Sequence, residues 1–399
     1  MKPRVCFVVQ RYGLEVNGGA ELLCRQLAEH LCPYADVHVA TSKAINYTTW
    51  ADEYENDVEE INGVTVHRFS VAKQRDVEPF NIWAGELDKG VILTRSEEER
   101  WVDEQGPFVP ALVEYLKEHK EDYDVFIFNT YLYYPTVRGI EVVGDKAIVI
   151  PDAHDEPFLR MHIFEKVFKQ GKAYFYNTEE ERRLAHKKFY SHLIKSDIGG
   201  AGVEVPDEVS PESFKSKYGL NNYVVYVGRI DIGKNCHTLF EDFAEYKNRY
   251  PSDLKLVLMG KEGIPVPQRE DIVSLGFVDD ADKFNGIAGA KALILPSKFE
   301  SLSIVVLEAF NLKVPVLVNG FSEVLKAHCV KSNGGFYYNN REEFIELLQY
   351  LLEHPGVAGQ MGKNGLEYVK QNYQWDIIIK RLMNLIDYVI EKNSGEMKI

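Results

Sequence analysis

The chain has 399 residues, with 46 basic and 61 acidic side chains and a formal net charge of −15. At about 100 to 200 residues per domain, this length predicts two globular domains. Apolar residues make up 45% and charged residues 27%, a balance that excludes long disordered, collagen-like and coiled-coil architectures. The acidity argues against nonspecific nucleic-acid binding, because phosphate backbones require a basic surface.

The sequence shows no sign of membrane insertion or secretion. No window approaches the roughly 20 apolar residues that a membrane span needs. The apolar stretch at residues 5–9 is too short for the core of a signal peptide. The five cysteines are odd in number and form no C-x-x-C pair, which disfavours disulfide frameworks and thiolate metal sites. We therefore expect a cytoplasmic protein.

Short β-branched runs alternate with helical patterns, which indicates α/β layers around mostly parallel sheets. The first half predicts strands at residues 4–9, 37–41, 64–69, 125–128, 147–150 and 174–176. It predicts helices at 19–31, 109–119 and 179–190, the last with Thr178 as its N-cap.

Residues 73–105 interrupt this alternation with several large aromatic residues and a run of three glutamates, Glu97 to Glu99. Two interpretations stay open. One is an irregular surface segment, and the other is an acceptor-contacting loop, because long loops on α/β scaffolds often carry specificity.

A segment rich in Gly and Pro, residues 198–207, predicts a domain boundary near residue 205. A second series follows, with strands at 223–227, 255–259, 292–295 and 314–318 and helices at 237–250, 280–288 and 304–310. Residues 341–392 are almost entirely helical in pattern.

Two glycine-containing turns follow predicted strands. Residues 17–21, NGGAE, open the first long helix, where paired glycines allow close backbone approach and helix amides attract an anion. A tight turn without a ligand explains this motif equally well. In the second half, GRIDIGKN at 228–235 places Arg229 and Lys234 at the carboxyl end of a strand, where ligands of open α/β sheets bind. Two cations there suit a diphosphate, and a solvated surface pair is the alternative.

The segment PSKFESLSIVVLEAF, residues 296–310, contains two glutamates separated by seven residues. On one helix, Glu300 and Glu308 would lie about 12 Å apart along the axis. That spacing suits two hydroxyl-bearing parts of one extended ligand better than a single metal, because a carboxylate accepts hydrogen bonds from a diol. Ser301 and Ser303 are candidate N-caps of this helix.

Together, GGAE, GRIDIGKN, KFESLSIVVLEAF and the following VPVLVNG resemble GT4-family retaining glycosyltransferases. The resemblance extends over nearly the whole chain and includes LGFVDDADKF at 275–284 and NYQWDIIIKRL at 372–382. It implies the GT-B fold, in which two Rossmann-like domains face each other across a cleft. Residues 1–205 with the C-terminal helix 377–399 would form the acceptor-binding domain, and 206–376 the donor-binding domain.

The resemblance also implies roles for individual residues. Arg229 and Lys234 would neutralise the donor diphosphate, Glu308 would hold the ribose hydroxyls, and Glu300 would hold hydroxyls of the transferred sugar. His154, in PDAHDEP after a late strand of the first domain, matches the catalytic-site histidine of the family. The implied catalytic set is Glu300, His154, Arg229 and Lys234. The implied donor-binding set is Gly18, Gly19, Gly228, Arg229, Lys234, Glu300, Ser301, Leu302, Ser303 and Glu308.

The chain departs from the family pattern after Glu300, where the family commonly has glycine and this sequence has Ser301-Leu302-Ser303. The identity of the donor sugar is therefore open. No metal and no cofactor are expected beside the nucleotide-sugar, which serves as co-substrate. The D-x-D sequence at Asp280 and Asp282 is interpreted as capping a helix.

Three function classes remain to be compared. The resemblance implies transfer of a sugar to a glycan or lipid-linked glycan in cell-envelope polysaccharide synthesis. The alternative is transfer to a small soluble acceptor, which is the chemistry of sucrose- and trehalose-type synthases. A nicotinamide-dependent oxidoreductase would need a G-x-G-x-x-G turn, which is absent after Val9 and after Val227. A noncatalytic scaffold of the same fold is expected to lose its site residues.

Residues 160–195 reverse the acidity of the chain, with nine Lys or Arg against four Glu. Two interpretations stay open for this segment. It is either a solvated helical face or a peripheral contact with anionic lipid at the inner face of the plasma membrane.

Overall fold

The computed structural model describes residues 2–16 and 18–395, and in it the chain forms two compact units. The first comprises Met1–Ala201 with Trp375–Ile399, and the second comprises Gly202–Gln374. The expected boundaries at residues 205 and 377 lie close to these divisions. Which unit binds acceptor and which binds donor stays a prediction.

The first unit is built on a mostly parallel sheet. Its strands are β1 (Arg4–Val8), β2 (Asp36–Ser42), β3 (Val58–Ile61), β4 (Val64–Phe69), β5 (Val125–Asn129), β6 (Ala147–Ile150), β7 (Ala173–Tyr176) and β8 (Lys195–Ile198). Their order is β3-β4-β2-β1-β5-β6-β7-β8, and only β3 and β4 pair antiparallel. Every residue of β5 and β6 is buried, as expected for apolar strands covered on both faces.

Helices cover this sheet. They are α1 (Gly19–Leu31), α2 (Val77–Asp88), α3 (Arg95–Gln105), α4 (Pro110–Glu118), α5 (Tyr134–Val143), α6 (Val167–Gln170) and α7 (Glu179–Phe189). The predicted cap of α7 is confirmed, because the Thr178 side chain accepts a hydrogen bond from the Glu181 amide at 3.2 Å.

Residues 73–105 are not irregular, so the prediction of an irregular segment is wrong. They form α2 and α3, and α3 begins with a capping box in which Thr94 and Glu97 exchange hydrogen bonds. Trp101 is 1% exposed and packs against the rings of Phe80 and Phe158. The segment is therefore part of the core layer of the first unit.

The second unit contains a fully parallel sheet. Its strands are β9 (Tyr223–Val227), β10 (Lys255–Met259), β11 (Ile272–Ser274), β12 (Leu293–Leu295), β13 (Val316–Asn319) and β14 (Gly335–Tyr338), in the order β11-β10-β9-β12-β13-β14. Its helices are α8 (Pro211–Tyr218), α9 (Cys236–Arg249), α10 (Asp280–Gly289), α11 (Ile304–Asn311), α12 (Glu323–Ser332), α13 (Arg341–Glu353) and α14 (Pro355–Asn372). The predicted α/β class is confirmed in both units.

The last helix, α15 (Trp375–Ser394), belongs to the first unit. The Trp375 ring stacks on His30 of α1 at a centroid distance of 4.1 Å, and Arg381 donates a hydrogen bond to the Ile198 carbonyl at 3.0 Å. Residues 396–399 of the expected C-terminal helix lie outside the described residues. Across 2–16 and 18–395, no helix combines the length and the apolarity that crossing a bilayer requires.

A stack of ionisable rings lies where β2 and β4 begin. His38 and His67 are 3.1 Å apart between Nδ1 and Nε2, and Arg4 donates to the other ring nitrogen of His38 at 3.3 Å. Burial and the guanidinium of Arg4 favour the neutral form of both imidazoles, whereas the Asp36 carboxylate opposes this at His38. Burial and the neighbouring His38 lower the pKa of His67 to about 4. Burial and Arg4 also lower the pKa of His38.

Acidification should therefore weaken the first unit. A histidine whose pKa is lowered on folding binds more protons when unfolded, so stability falls as the pH drops from about 6.5 towards 4. All four tryptophans lie in the first unit, so their fluorescence reports its unfolding. We expect the urea midpoint to fall more between pH 7.5 and 5.5 in the native protein than in His67→Asn. The exposed His192→Asn is the control and should behave as the native protein does.

Candidate functional site

The carboxyl end of β9 forms a turn that only glycine permits. Gly228 has φ +147°, and a Cβ on the neighbouring Gly260 would lie 1.9 Å from the Gly228 carbonyl oxygen. The Tyr226 hydroxyl donates a hydrogen bond to the Arg229 carbonyl at 2.5 Å and thereby holds the turn. The backbone at Gly228 is therefore held close to that at Gly260, at the sheet edge where ligands of such folds bind.

The turn presents the two predicted cations next to carboxylates. The Lys234 ammonium is 2.7 Å from Oε1 of Glu300, and the Arg229 guanidinium is 3.3 Å from Asp231. Asp231 also accepts a hydrogen bond from the Lys234 amide at 2.8 Å. Arg229 is more than half exposed, whereas Glu300 is 12% exposed. The structure thus brings Lys234 and Glu300, which are far apart in sequence, into direct contact.

Glu300 lies in a loop that is tied to the sheet from three sides. The Pro296 carbonyl accepts from Asn235 at 3.2 Å and from Asn319 at 3.0 Å, so the ends of three elements meet at one oxygen. The buried His328 ring contacts the Leu302 carbonyl at 2.7 Å. Because α11 begins only at Ile304, Glu300 and Glu308 do not share a helix, and the 12 Å helical spacing predicted for them is wrong.

Glu308 forms a buried ion pair that the sequence did not reveal. Its Oε1 is 3.0 Å from the ammonium of Lys283 on α10, which is also 3.2 Å from Asp280. Burial raises the pKa of the Glu308 carboxyl, and the Lys283 ammonium opposes that rise. Burial opposes a rise in the pKa of Lys283, but Glu308 and Asp280 raise it. Lys283 therefore favours the charged form of a buried carboxylate.

Ser303 takes a left-handed backbone conformation that glycine would adopt without strain. It has φ +65° and ψ +75° at the N-cap position of α11, and it is 8% exposed. Its side chain forms no cap hydrogen bond, so the predicted cap is wrong. A serine in the left-handed region is strained, which makes residue 303 a costly position in the loop after Glu300.

The D-x-D sequence is occupied by structural contacts. The residue before it, Asp279, caps α10 by accepting from the Asp282 amide at 2.8 Å. The Asp282 carboxylate accepts from Lys217 and from Tyr218, each at 2.6 Å. The capping residue is thus Asp279, one position before the sequence predicted. Within 2–16 and 18–395, no group of three or more His, Cys, Asp or Glu is arranged to hold a metal.

In the first unit, the GGAE motif encloses a buried ion pair. Glu21 is 7% exposed and accepts from Gln10 at 2.9 Å and from Arg11 at 2.6 Å. A Cβ on Gly18 would lie 2.2 Å from the Glu21 carboxylate, whereas one on Gly19 would meet nothing within 4 Å. Gly18 therefore makes room for this ion pair. Asn17 lies outside the described residues, and contact of Gly18 or Gly19 with a diphosphate stays a prediction.

His154 follows β6 in a loop that buried acids organise. Burial raises the pKa of Asp152 to about 6, although hydrogen bonds from Asn177 and Thr130 oppose the rise. The buried Glu181 accepts from the Ala153 amide at 2.7 Å and thereby anchors the loop.

Beyond this anchor, His154 contacts Glu156. The His154 Nε2 atom is 3.1 Å from Glu156, which also accepts from the Tyr131 hydroxyl at 2.6 Å. The predicted histidine thus lies at the carboxyl edge of the first sheet with its ring oriented by a carboxylate.

Much of the basic charge of residues 160–195 is paired and spread over several elements. Lys166 binds Glu141, Lys169 is 2.8 Å from Glu165, and Arg182 and Arg183 both approach Glu179. The segment includes α6, β7, α7 and the start of β8, so it does not form one helical face.

Comparison with known proteins identifies a family domain in the second unit. Residues 212–368 match the family Glycosyl transferases group 1. Glycosyltransferase 1 domain-containing protein 1 of Xenopus tropicalis is 27% identical over 221 residues, which cover 50% of this chain and 62% of that protein. Matches of this kind span between 43% and 62% of the length of the relatives.

Solved structures are similar over nearly the whole chain. Sucrose-phosphate synthase from Thermosynechococcus elongatus has a TM-score of 0.72 at 16% identity, covering 98% of this chain and 100% of that one. The Anabaena protein HepE in complex with UDP-glucose has a TM-score of 0.68 at 14% identity, covering 97% and 100%. The chain therefore has the two-sheet α/β architecture of GT-B glycosyltransferases.

The Lys283 pair can be tested without any ligand. Lys283→Met leaves Glu308 buried without its cation, which should cost on the order of 3 kcal/mol of unfolding free energy at pH 8. Losing the ammonium raises the Glu308 pKa further, so the folded state binds a proton that the unfolded state lacks above about pH 4.3. The destabilisation should therefore grow as the pH rises from 5.5 to 8, as measured by calorimetry.

The matched control is Lys291→Met, which removes an exposed lysine of the same unit. Adding Glu308→Gln to Lys283→Met should remove most of the pH dependence, because the titrating group is gone. Equal unfolding temperatures for the Lys283 and Lys291 variants at pH 8 would contradict the role assigned to this ion pair.

Ser303→Gly should stabilise the protein. Glycine adopts φ +65° without strain, and the expected gain in unfolding free energy is on the order of 1 kcal/mol after the greater chain entropy of unfolded glycine is subtracted. Ser303→Ala keeps the strained backbone and removes only the hydroxyl, so it separates the two effects. Calorimetry should show a higher unfolding temperature for the glycine variant than for the alanine variant; the reverse order would show that φ is not the cause.

Proposed function

We propose that the chain is a retaining, metal-independent glycosyltransferase that moves a sugar from a nucleotide-diphosphate sugar to a hydroxyl group. The observation that carries this proposal is the contact between Lys234 and Glu300 beside the Gly228 turn, within the matched Glycosyl transferases group 1 domain. A cation for the diphosphate and a carboxylate for the sugar are then adjacent, which matches a donor whose diphosphate is bonded directly to its sugar.

Donor binding would rearrange the charges of this edge. The diphosphate carries more negative charge than a carboxylate, and it would draw the Lys234 ammonium and the exposed Arg229 guanidinium to its oxygens. Glu300 would then be released to accept hydrogen bonds from hydroxyls of the transferred sugar. Glu308, paired with Lys283, would accept from the two ribose hydroxyls.

The reaction would break the bond between the sugar anomeric carbon and the β-phosphate oxygen and form a bond from that carbon to the acceptor oxygen. The acceptor proton would pass to the leaving phosphate on the same face of the sugar. Negative charge grows on the diphosphate during this step, so Arg229, Lys234 and the amides near Ser301 and Ser303 would stabilise the transition state more than the ground state.

In the first unit, His154 would contribute to the catalytic site. Its contact with Glu156, which the Tyr131 hydroxyl holds by a hydrogen bond, fixes the ring orientation. A ring held in place can hydrogen-bond a sugar hydroxyl at little entropic cost. Gly18 and Gly19 would let the first unit's backbone approach the donor diphosphate.

We place the acceptor among glycans and lipid-linked glycans, with cell-envelope polysaccharide synthesis in the cytoplasm as the setting. The similarity of fold to a sucrose-phosphate synthase favours a second candidate, in which the acceptor is a small soluble sugar. Transfer assays with both acceptor classes distinguish the two.

Two substitutions separate diphosphate binding from sugar transfer. Lys234→Ala should weaken nucleoside diphosphate binding and lower kcat/KM on the order of 100-fold, because a charge-stabilising contact is lost. Glu300→Gln should still bind the nucleoside diphosphate, since Lys234 is then available to it, but transfer should fall by a similar factor. Calorimetric titration and a donor-turnover assay measure the two quantities.

The donor is identified first by thermal shift with UDP, GDP, ADP and their sugars, because a ligand at 100 times its Kd stabilises by about 2.7 kcal/mol. Lys291→Ala is the control variant and should leave nucleoside diphosphate binding and sugar transfer unchanged. Native transfer rates in both the Lys234 and Glu300 variants would refute the proposed function, and nucleotide binding without any transfer would indicate a noncatalytic scaffold.

A further inference from the structure

A cavity of about 640 Å³ lies on the first unit at the amino edge of its sheet. Its walls come from the segments that lead into β5, β6, β7 and β8, together with α15. We call it the amino-edge pocket and define it by Lys120, Lys169, Lys172, Leu193, Lys195 and Tyr388. Two carboxylates also line it, and both are paired: Glu141 with Lys166 and Asp145 with Lys120. The pocket lies at the opposite end of the strands from His154, so nothing in the proposed reaction uses it.

Two of its lysines are not neutralised. Lys120 is 2.8 Å from Asp145, and Lys169 is 2.8 Å from Glu165, so these charges are compensated. In the part of the chain that the structure describes, Lys172 and Lys195 have no ion pair with a carboxylate. Ala173 and Lys195 are register partners on β7 and β8, so Lys172, the residue before β7, and Lys195, the first residue of β8, lie at neighbouring strand starts.

An aromatic ring completes the cationic wall. The ammonium of Lys195 lies 6.0 Å from the Tyr388 ring centroid, and that of Lys392 lies 5.8 Å from it. The ring supports the cations without neutralising their charge. The pocket therefore presents a local positive potential on a chain whose net charge is −15.

The local charge of the pocket, and not the net charge of the chain, determines which ligands it attracts, because salt screens charges beyond about 8 Å at physiological ionic strength. The distant acidic surface does not cancel Lys172 and Lys195 at this range. Phosphate is the anion that two neighbouring lysines suit, since each ammonium donates several hydrogen bonds.

The rim of the pocket indicates where the phosphate comes from. Leu193, which lines the pocket, is 90% exposed, and Tyr190, three residues earlier in the chain, is 78% exposed. A soluble phosphate would gain nothing from these side chains, whereas a bilayer surface would bury them among its headgroups. We propose that the amino-edge pocket binds the phosphate headgroup of an anionic membrane lipid, with Lys172 and Lys195 on the phosphate and Leu193 and Tyr190 inserted beside it.

This site replaces the basic face that the sequence suggested across residues 160–195. Four of the nine cations of that segment, Lys166, Lys169, Arg182 and Arg183, form ion pairs with glutamates within the fold. Lys188 on α7 lies near Asp155 and Arg160, away from the pocket. The proposed contact with lipid therefore involves two lysines, Lys172 and Lys195, and two exposed side chains, Leu193 and Tyr190.

The test is cosedimentation of the full chain with vesicles of phosphatidylglycerol and phosphatidylcholine, compared with vesicles of phosphatidylcholine alone. The native protein should bind only the anionic vesicles, and less at high salt. Lys172→Glu with Lys195→Glu should weaken vesicle binding about tenfold or more, because each lysine near an anionic surface contributes substantially to the free energy of binding. Lys172→Gln with Lys195→Gln serves as the milder variant if the reversed charges disturb folding, which tryptophan fluorescence monitors.

The matched control is Lys363→Glu with Lys370→Glu, two exposed lysines of α14 that give the same change in net charge. Binding that falls equally in both double variants would overturn the proposal, because net charge alone would explain it.

A second arm separates the two sources of phosphate. Inorganic phosphate is titrated in a thermal-shift assay with the native protein, the Lys172 and Lys195 double variant, and Leu193→Asn. We expect Leu193→Asn to weaken vesicle binding and to leave any effect of phosphate unchanged. A phosphate effect that depends on both lysines, without vesicle binding, would overturn the lipid assignment in favour of a soluble phosphorylated ligand.

Discussion

Both carboxylates at the edge of the second sheet form ion pairs with lysines. Burial disfavours the charged form of a carboxylate, and a neighbouring cation favours it. Lys283 on α10 contacts Glu308, and Lys234 in the turn after β9 contacts Glu300. The two pairs nevertheless differ. Glu308 with Lys283 is nearly enclosed, whereas the Lys234 pair is partly open and can exchange partners with an incoming anion.

The geometry of these pairs follows from the parallel sheet. Parallel strands deliver all their carboxyl ends to one edge, so turns that are distant in sequence meet there. Each turn must reverse direction within a few residues, and residues in the left-handed region achieve this. In the second unit they include Asn235 and Ser303, and in the first Thr130 and Asp152. These four are among nine described non-glycine residues with positive φ, and they lie in the loops that contain the candidate site residues.

The sequence predicted the core strands well because their signal is local. The strands 64–69, 223–227 and 255–259 have the predicted bounds, since each is a short apolar run between turn residues. Edge strands such as β11 and β14 were missed, because they are short and only partly buried. The helix α3 was missed because few of its residues are apolar, although Thr94 and Glu97 form a capping box that the sequence contains.

The site residues divide in the same way. Arg229, Lys234 and Glu300 belong to motifs whose spacing is visible along the chain, so they could be predicted. Lys283 could not, because its significance arises only when α10 packs near α11 and brings it within 3.0 Å of Glu308. Glu156 is a similar case, since its partners His154 and Tyr131 come from two different loops.

The net charge of −15 also takes a different meaning once the cations are located. A uniformly acidic surface would repel both a diphosphate and an anionic bilayer, but repulsion beyond a Debye length of about 8 Å is screened. What matters is the sign of the charge within that distance. In the first unit, the amino-edge pocket and the His154 loop lie at opposite ends of four- to five-residue strands. At about 3.3 Å per residue, roughly 15 Å separates them, nearly two Debye lengths. Each edge can therefore carry its own local charge, and a surface contact at one end need not disturb the hydrogen-bonded acids at the other.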